Sequence, residues 1–211
     1  MGRVNLVVPF SDKETVKKMG GRWDGVLKVW FAPADVDPGR FEKWMVKPPS
    51  INLRAPSGFH LARTGAYCWS CKAPTWVYGL YFEHQPVIIE RYDMVDGELH
   101  EIYSHDHHGP GFASFVEYIN PEVEVAIRAI APVYRFDVSA KSKQAYFMNH
   151  CGACGMKQGD FELYHEPESP FHPLSEVHVQ AIQRRYIPMF LDAAHGSYHT
   201  CPDVAAGTAV F

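Results

Sequence analysis

Four of the five cysteines fall into two identical spacings, Cys68-x-x-Cys71 in "YCWSCKAP" and Cys151-x-x-Cys154 in "NHCGACGM". Two sulfurs on one tight turn can both reach about 2.3 Å from a single ion, and four thiolates in a tetrahedron are the donor set of a structural zinc site. A redox CxxC occurs singly in a βαβ setting, which this sequence does not offer. An odd cysteine count, with no export signal before it, argues against a disulfide framework. About 80 residues part the two pairs, against roughly 15–20 in an ordinary ribbon. The intervening chain must therefore fold and return the second pair to the first. The expectation is one structural Zn2+ on Cys68, Cys71, Cys151 and Cys154, with Gly152 and Gly155 supplying the positive φ that such turns demand.

Other polar residues carry weaker signals. Asn149, Gln158, Asp160 and Glu166 cluster around the second pair. They could line a polar pocket, or bond the backbone and sulfurs of the turn, as outer groups of metal sites do; Gly159-Asp160 then reads as a turn. The run His105, Asp106, His107, His108 reads as a solvated loop, because adjacent side chains point apart and rarely meet on one ion. His195 and His199, with Cys201 beyond, have better spacing, but Gly196 and Pro202 oppose the helix that would align them. His84 with Glu83, Glu90 and Asp93 could form a nuclease-like group, though nothing in the spacing demands it. Deaminase, Walker A, G-x-S-x-G and H-E-x-x-H signatures are absent. Catalysis is unsupported.

The elements that must position these residues divide the chain. Residues 1–47 read as a small β-α-β-β-α head. "VNLVVPF" is a strand ended by Pro9, Ser11 and Glu14 have capping-box spacing, and Gly20-Gly21 stop the helix. Asp24-Gly25 turns a hairpin, and Asp37-Pro38 opens a last helix with Phe41 and Trp44 on one face. Trp23, Trp30, Phe41 and Trp44 are expected to be its core. Residues 48–63, rich in Pro and Ser, read as a linker or strap. Residues 64–190 read as a zinc-ribbon body with a helical insertion at 86–145, its helices expected near Ser114–Ile119 and Pro121–Ile130. "KQAYFMNHC" is expected to return as a strand. Residues 191–211 read as a partly ordered tail. The fold class is α+β.

Two stretches also carry resemblances. "VPFSDKETVKKMGGRWDGVLKVWFAP" followed by "FEKWM" resembles a small domain of unknown function attached to plasmid DNA primases, topoisomerases and related proteins. The shared pattern is a VP-F/Y start, a K-x-x-A/V-K helix, G-x-RWD, K-x-W-Y/F-x-P and a closing F-x-x-W, with Gly21 where Ala is usual. Residues 64–172, through "YFMNHCGACGMKQGDFEL" and the E-P and P-F that follow, resemble uncharacterised bacterial zinc-ribbon-like proteins. The first resemblance implies DNA-processing and mobile-element surroundings, and the second implies zinc. Neither implies a mechanism.

Composition sets the outer limits. Apolar residues make up 46 % and charged residues 21 %, the balance of a globular protein. No apolar run approaches the roughly 18 residues of a membrane span, and acidic residues come too early for a secretory signal, so the sequence reads as cytosolic. Net charge is −4, with nine basic and six acidic residues in 1–47, so the head is basic on an acidic body. Lys13, Lys17, Lys18, Arg22, Lys28 and Trp30 are the candidate nucleic-acid face, suited to single strands because lysines accompany a stackable ring. The competing reading makes Trp30 core and the lysines a solvated helix face. Three functions are carried forward. The first is a non-enzymatic accessory protein of a plasmid or phage, binding single-stranded nucleic acid or a DNA-processing partner. The others are an effector that binds a host-defence protein through the acidic body, and a hydrolase or nuclease with an unread site.

Overall fold

The computed structural model describes residues 4–25, 29–44, 51–84, 86–95, 98–103, 109–206 and 210–211. The chain divides into two compact units, Met1–Pro49 and Ser50–Phe211. It is a mixed α and β protein in which strands dominate.

In the first unit, β1 (Val4–Leu6), β2 (Arg22–Asp24) and β3 (Val29–Ala32) form an antiparallel sheet of order β1-β3-β2. A 3₁₀ turn at Phe10–Asp12 leads into α1 (Lys13–Lys18). Val16 of α1 packs with Leu6, Ala32, Phe41 and Trp44 to form the core. The closing element, Pro38–Trp44, is a 3₁₀ helix where an α-helix was expected.

Two local expectations are corrected here. Ser11 does not cap α1. Its hydroxyl donates instead to Asp12 Oδ1 at 3.0 Å, and the other Asp12 oxygen accepts from Trp44 Nε1 and Lys43 Nζ, both at 2.9 Å. Asp12 thereby ties the start of the helix to the end of the unit. Trp23, expected in the core, is 48 % exposed. It stands opposite Trp30 in the ladder, on the sheet's outermost strand, and keeps only a tilted ring contact with it at 5.7 Å.

The described residues of the second unit form three sheets. β4 (Leu53–Ala55), β5 (Phe59–Tyr67), β6 (Pro74–Phe82), β7 (Val87–Val95), β8 (Glu98–Tyr103), β9 (Gly111–Ser114) and β10 (Tyr118–Ile119) come first. α2 (Pro121–Ile130), β11 (Tyr134–Val138), β12 (Ala145–His150), β13 (Lys157–Gln158) and α3 (Asp160–Tyr164) follow. α4 (Glu176–Ala181), β14 (Gln183–Ile187), β15 (Leu191–Ala194) and β16 (Ser197–Thr200) complete it. The sheets run β10-β15-β4-β7-β8, β11-β12-β13 and β14-β5-β6-β9-β16.

The β5–β6 ladder lies between two cores. Phe59, Leu61, Leu80 and Phe82 face the larger core, which Val123 and Ile127 of α2 also enter. Ala62, Val77 and Tyr81 face the smaller one, with Phe112, Tyr164 and Phe171.

Three expectations fail in this unit, each for a nonlocal reason. The strap at 48–63 holds β4 and the first half of β5; Leu53 is fully buried between partners Ile88 and Ala193, one of them at the far end of the sequence. Gly58, at φ +116°, makes the bend between these strands. The insertion at 86–145 is mostly strand, with α2 its helix among the described residues. A helix over Ser114–Ile119 is blocked by Phe115, whose φ of +51° breaks the backbone between β9 and β10. The tail is built in over residues 191–200: β15 lies between β10 and β4, and β16 pairs with β9.

Candidate metal centre

Each cysteine pair closes a hairpin. Cys68 and Cys71 lie in the turn between β5 and β6, and Cys151 and Cys154 in the turn between β12 and β13. The two turns repeat one hydrogen-bond pattern. Cys68 N–H donates to Ala73 O at 3.0 Å, and Cys68 O accepts from Lys72 N–H at 3.0 Å. In the second turn, Cys151 N–H donates to Met156 O at 2.8 Å, and Cys151 O accepts from Gly155 N–H at 2.9 Å. The position four residues after the first cysteine is left-handed in both, Lys72 at φ +61° and Gly155 at +72°. Gly152, expected to share this role, does not have positive φ.

The four sulfurs lie within 4.8 Å of one another, with Cys68–Cys154 and Cys71–Cys151 each at 3.7 Å. A tetrahedron with bonds of about 2.3 Å has edges of about 3.8 Å. All five cysteines are free thiols.

The electrostatics also favour a cation. Burial alone would raise the Cys68 thiol, but the backbone amides of Cys71 and Ser70 bring it down to about 6. The Cys154 amide lowers Cys151. Although the Met156 amide favours its thiolate, Cys154 is pushed up to about 12 by Cys71, burial and the other two sulfurs. Four thiols this close cannot all ionise until a positive charge arrives among them.

Hydrogen bonds of Thr75, Trp69, Gln158 and Asn149 also tie the hairpins together. Thr75 Oγ1 accepts from Gly152 N–H at 3.1 Å, and Trp69 Nε1 donates to Lys157 O at 2.7 Å. Gln158 donates to Cys68 Sγ at 3.4 Å and to Met156 O at 2.9 Å, while its Oε1 accepts from Trp69 N–H at 3.5 Å. Asn149 bonds the backbone of Tyr78 in β6. Next to it, His150 is buried with Val133 O at 3.1 Å from one ring nitrogen and Asp137 Oδ2 at 3.0 Å from the other. Burial opposes ionisation of Asp137, but the bonds from His150 and Lys157 prevail and hold its carboxyl well below the usual range.

Asn149, Gln158, Asp160 and Glu166, read either as a polar pocket or as supports of the turn, go to different places. Asn149 and Gln158 serve the turns, and Glu166 is exposed. Asp160 opens α3 instead of making a turn, and accepts from Phe115 N–H at 2.7 Å. Its Oδ1 is buried without a partner, and burial pushes the carboxyl up to about 7.

The histidine candidates separate. His195 bonds Asn52 and His199 bonds Ser114, while Cys201 packs against the smaller core. His105, Asp106, His107 and His108 lie outside the described residues, as does Lys28. Glu83 lies 3.4 Å from Arg184 and 3.5 Å from His60, His84 is exposed, and nothing is described of the Glu90 and Asp93 side chains.

Sequence reasoning gave no sign of the Ser114–His199 pair, 3.1 Å apart. His199 lines a cavity of about 240 Å³ with Phe171, His172 and Cys201. As hydrolytic machinery the pair is poor. Ser114 is fully buried, and burial, with His165 and His172 nearby, holds His199 down to about 4, a weak base.

In the first unit the basic candidates lie on two layers. Trp30 shares the covered face of the sheet with Leu6 and Trp23, and α1, bearing Lys13, Lys17 and Lys18, packs on that side through Val16. Arg22 pairs with Phe31 on the opposite face and lies 3.7 Å from Asp35. Lys17 pairs with Glu14 at 3.0 Å, and the Lys13 ammonium sits 3.8 Å from the exposed Phe10 ring.

A small α and β head and a strand-rich unit with a four-sulfur cluster is the class of protein this geometry defines. Residues 3–46 match a domain of unknown function (DUF5710). The chain is also similar to DNA primase TraC of Escherichia coli, 50 % identical over 42 residues, which is 20 % of this chain and 4 % of that protein. The chain thus spans a small fraction of that relative's length. No solved structure matches. No helix among the described residues is long and apolar enough to cross a membrane.

Proposed function

We propose that this is a zinc-binding, non-enzymatic accessory protein of a bacterial mobile element, working in the cytoplasm, whose head contacts single-stranded nucleic acid. The observation that carries the metal reading is the four-sulfur cluster, with two edges of 3.7 Å between knuckles of matching hydrogen-bond pattern. Four cysteine donors leave no open coordination position, so the zinc ribbon is structural. The likeness of the head to part of a DNA primase supports the nucleic-acid reading. Lys13, Lys17 and Lys18 on α1 then supply the phosphate contacts, with Phe10 beside them as the stacking ring. Arg22, Lys28 and Trp30 remain in the proposed set, Trp30 in a supporting position because it packs on the core.

The test is binding of a fluorescent single-stranded oligonucleotide to the full chain at low salt, with metal analysis of the same preparation. About one zinc per chain and an affinity that falls steeply with salt, and is weakened in Lys17→Glu/Lys18→Glu, are the expected results. Absence of zinc removes the ribbon. Undiminished binding by that variant removes the head interface.

A further inference from the structure

We propose a second binding site for single-stranded nucleic acid, on the body, where the β5–β6 hairpin projects towards its cysteine turn and offers aromatic rings to unpaired bases. It lies in a different unit from the interface proposed for the head, and depends on other residues.

In the ladder Tyr67 stands opposite Pro74, Gly65 opposite Trp76 and Arg63 opposite Tyr78. Opposed residues share a face, as do residues two apart along a strand, so Tyr67, Trp76 and Arg63 lie on one side. This is the side that, further along, buries Leu61 and Leu80 in the larger core. Near the turn the core stops and the rings continue, Tyr67 at 79 % exposure and Trp76 at 45 %. Gly65 interrupts the row: a Cβ there would meet nothing within 4 Å. The gap has a glycine backbone floor, Tyr67 to one side and Trp76 across from it. Arg63 sits behind, its guanidinium 4.6 Å from the Trp76 ring and 4.1 Å from Phe211. At the tip, Trp69 adds a third ring, 59 % exposed and fixed by its bond to Lys157 O.

Charge does not oppose a polyanion here. The segments 59–82 and 145–158, which hold both knuckles, contain no Asp or Glu; all 18 acidic residues after position 47 lie elsewhere. The cations in these segments are Arg63, Lys72 and Lys157, of which Lys157 is engaged with Asp137. A zinc ion with four thiolates adds two negative charges nearby. The site therefore works mainly by stacking, which tolerates any base. Its contribution should depend little on salt, unlike that of the head.

The experiment is fluorescence anisotropy of a labelled oligo(dT) with the full chain, at low and at high salt. Tyr67→Ala/Trp76→Ala should weaken binding at least tenfold, by nearly the same factor at both salt concentrations, and Tyr67→Phe/Trp76→Phe should restore it because the rings remain. The loss should persist in a Lys17→Glu/Lys18→Glu background. Zinc content and circular dichroism check the fold; if the alanine pair misfolds, Gly65→Leu, which fills the gap and leaves the rings, should give the same loss. Unchanged affinity in a folded alanine variant overturns the site, as does failure of the phenylalanine pair to restore binding. A loss confined to the head variant leaves the head reading standing and removes this one. A loss confined to the ring variant does the reverse.

Discussion

The side-chain amide of Asn149 bonds both backbone groups of Tyr78, accepting from its N–H at 2.7 Å and donating to its C=O at 2.8 Å. β9 pairs with β6 only over Leu80–Phe82, so the β6 edge at Tyr78 has no strand beside it. Asn149 takes that strand's place, two residues before Cys151. Asn149→Ala leaves two buried backbone groups unpaired, at a cost of about 2–4 kcal/mol. Asn149→Asp keeps the acceptor but loses the donor and buries a charge, so it should destabilise at least as much. Urea unfolding of both variants measures this; a loss below about 1 kcal/mol would show that the edge is satisfied some other way.

The two knuckles differ where Lys72 and Gly155 occupy the same left-handed position. A side chain there costs roughly 1–2 kcal/mol. Gly155 has open space around it, so Gly155→Lys, copying the first knuckle, should cost no more than this and retain zinc. Gly155→Val, branched at Cβ, should cost distinctly more. Thermal melts with metal analysis distinguish the two.

Cys154→Ser should abolish zinc binding and unfold the second unit, because structural zinc contributes on the order of 10 kcal/mol to such sites. The crossing bonds between hairpins are too few to replace it. Retention of a cooperative transition at the wild-type midpoint, without metal, would refute this.

Asp160 makes stability depend on pH. Burial raises its folded value to about 7 from an ordinary 3.8, so the folded state holds the proton more tightly. That contribution is full below about pH 4 and is lost as pH rises through about 7. His199 acts oppositely: its folded value is down to about 4, and its contribution returns as pH rises towards its ordinary 6.5. Asp160→Asn keeps an acceptor for Phe115 N–H and removes only the first effect. Relative to the wild type, the variant should gain stability between about pH 5 and pH 8, read from urea midpoints. A constant difference between the two proteins would exclude titration of Asp160.

The clustering of Cys68, Cys71, Cys151 and Cys154 was legible because Cys-x-x-Cys is a local signal and tetrahedral chemistry restricts what two copies can do. The hairpin at Asp24-Gly25 and the helix opened by Pro121 were legible for the same reason: a turn or a first helical residue is fixed by its neighbours. Leu53, Leu191 and Ala193 were not, since a three- or four-residue strand has too short a pattern to show its period, and its partners lie 35 to 140 residues away in sequence (Leu53 to Ile88, Leu53 to Ala193). Trp23 was misread because aromatic content does not say which residue occupies an edge strand. Nothing local marks Tyr67 and Trp76; the ladder shows that the core ends before reaching them.

Order of synthesis gives the cysteine pairing a further meaning. Cys68 and Cys71 leave the ribosome about 80 residues before Cys151, an interval of roughly 4–16 s at ordinary elongation rates. Through that interval the first thiol pair has no partners, and it must stay reduced and avoid capturing a metal in a half-site. The knuckles are not the last pieces needed, because β5 still lacks β14 and β4 still lacks β15. A nascent chain halted just past Gln158 would own all four cysteines of the cluster yet be unable to close either five-stranded sheet, so gathering the sulfurs and completing the body are separate events in the life of each molecule.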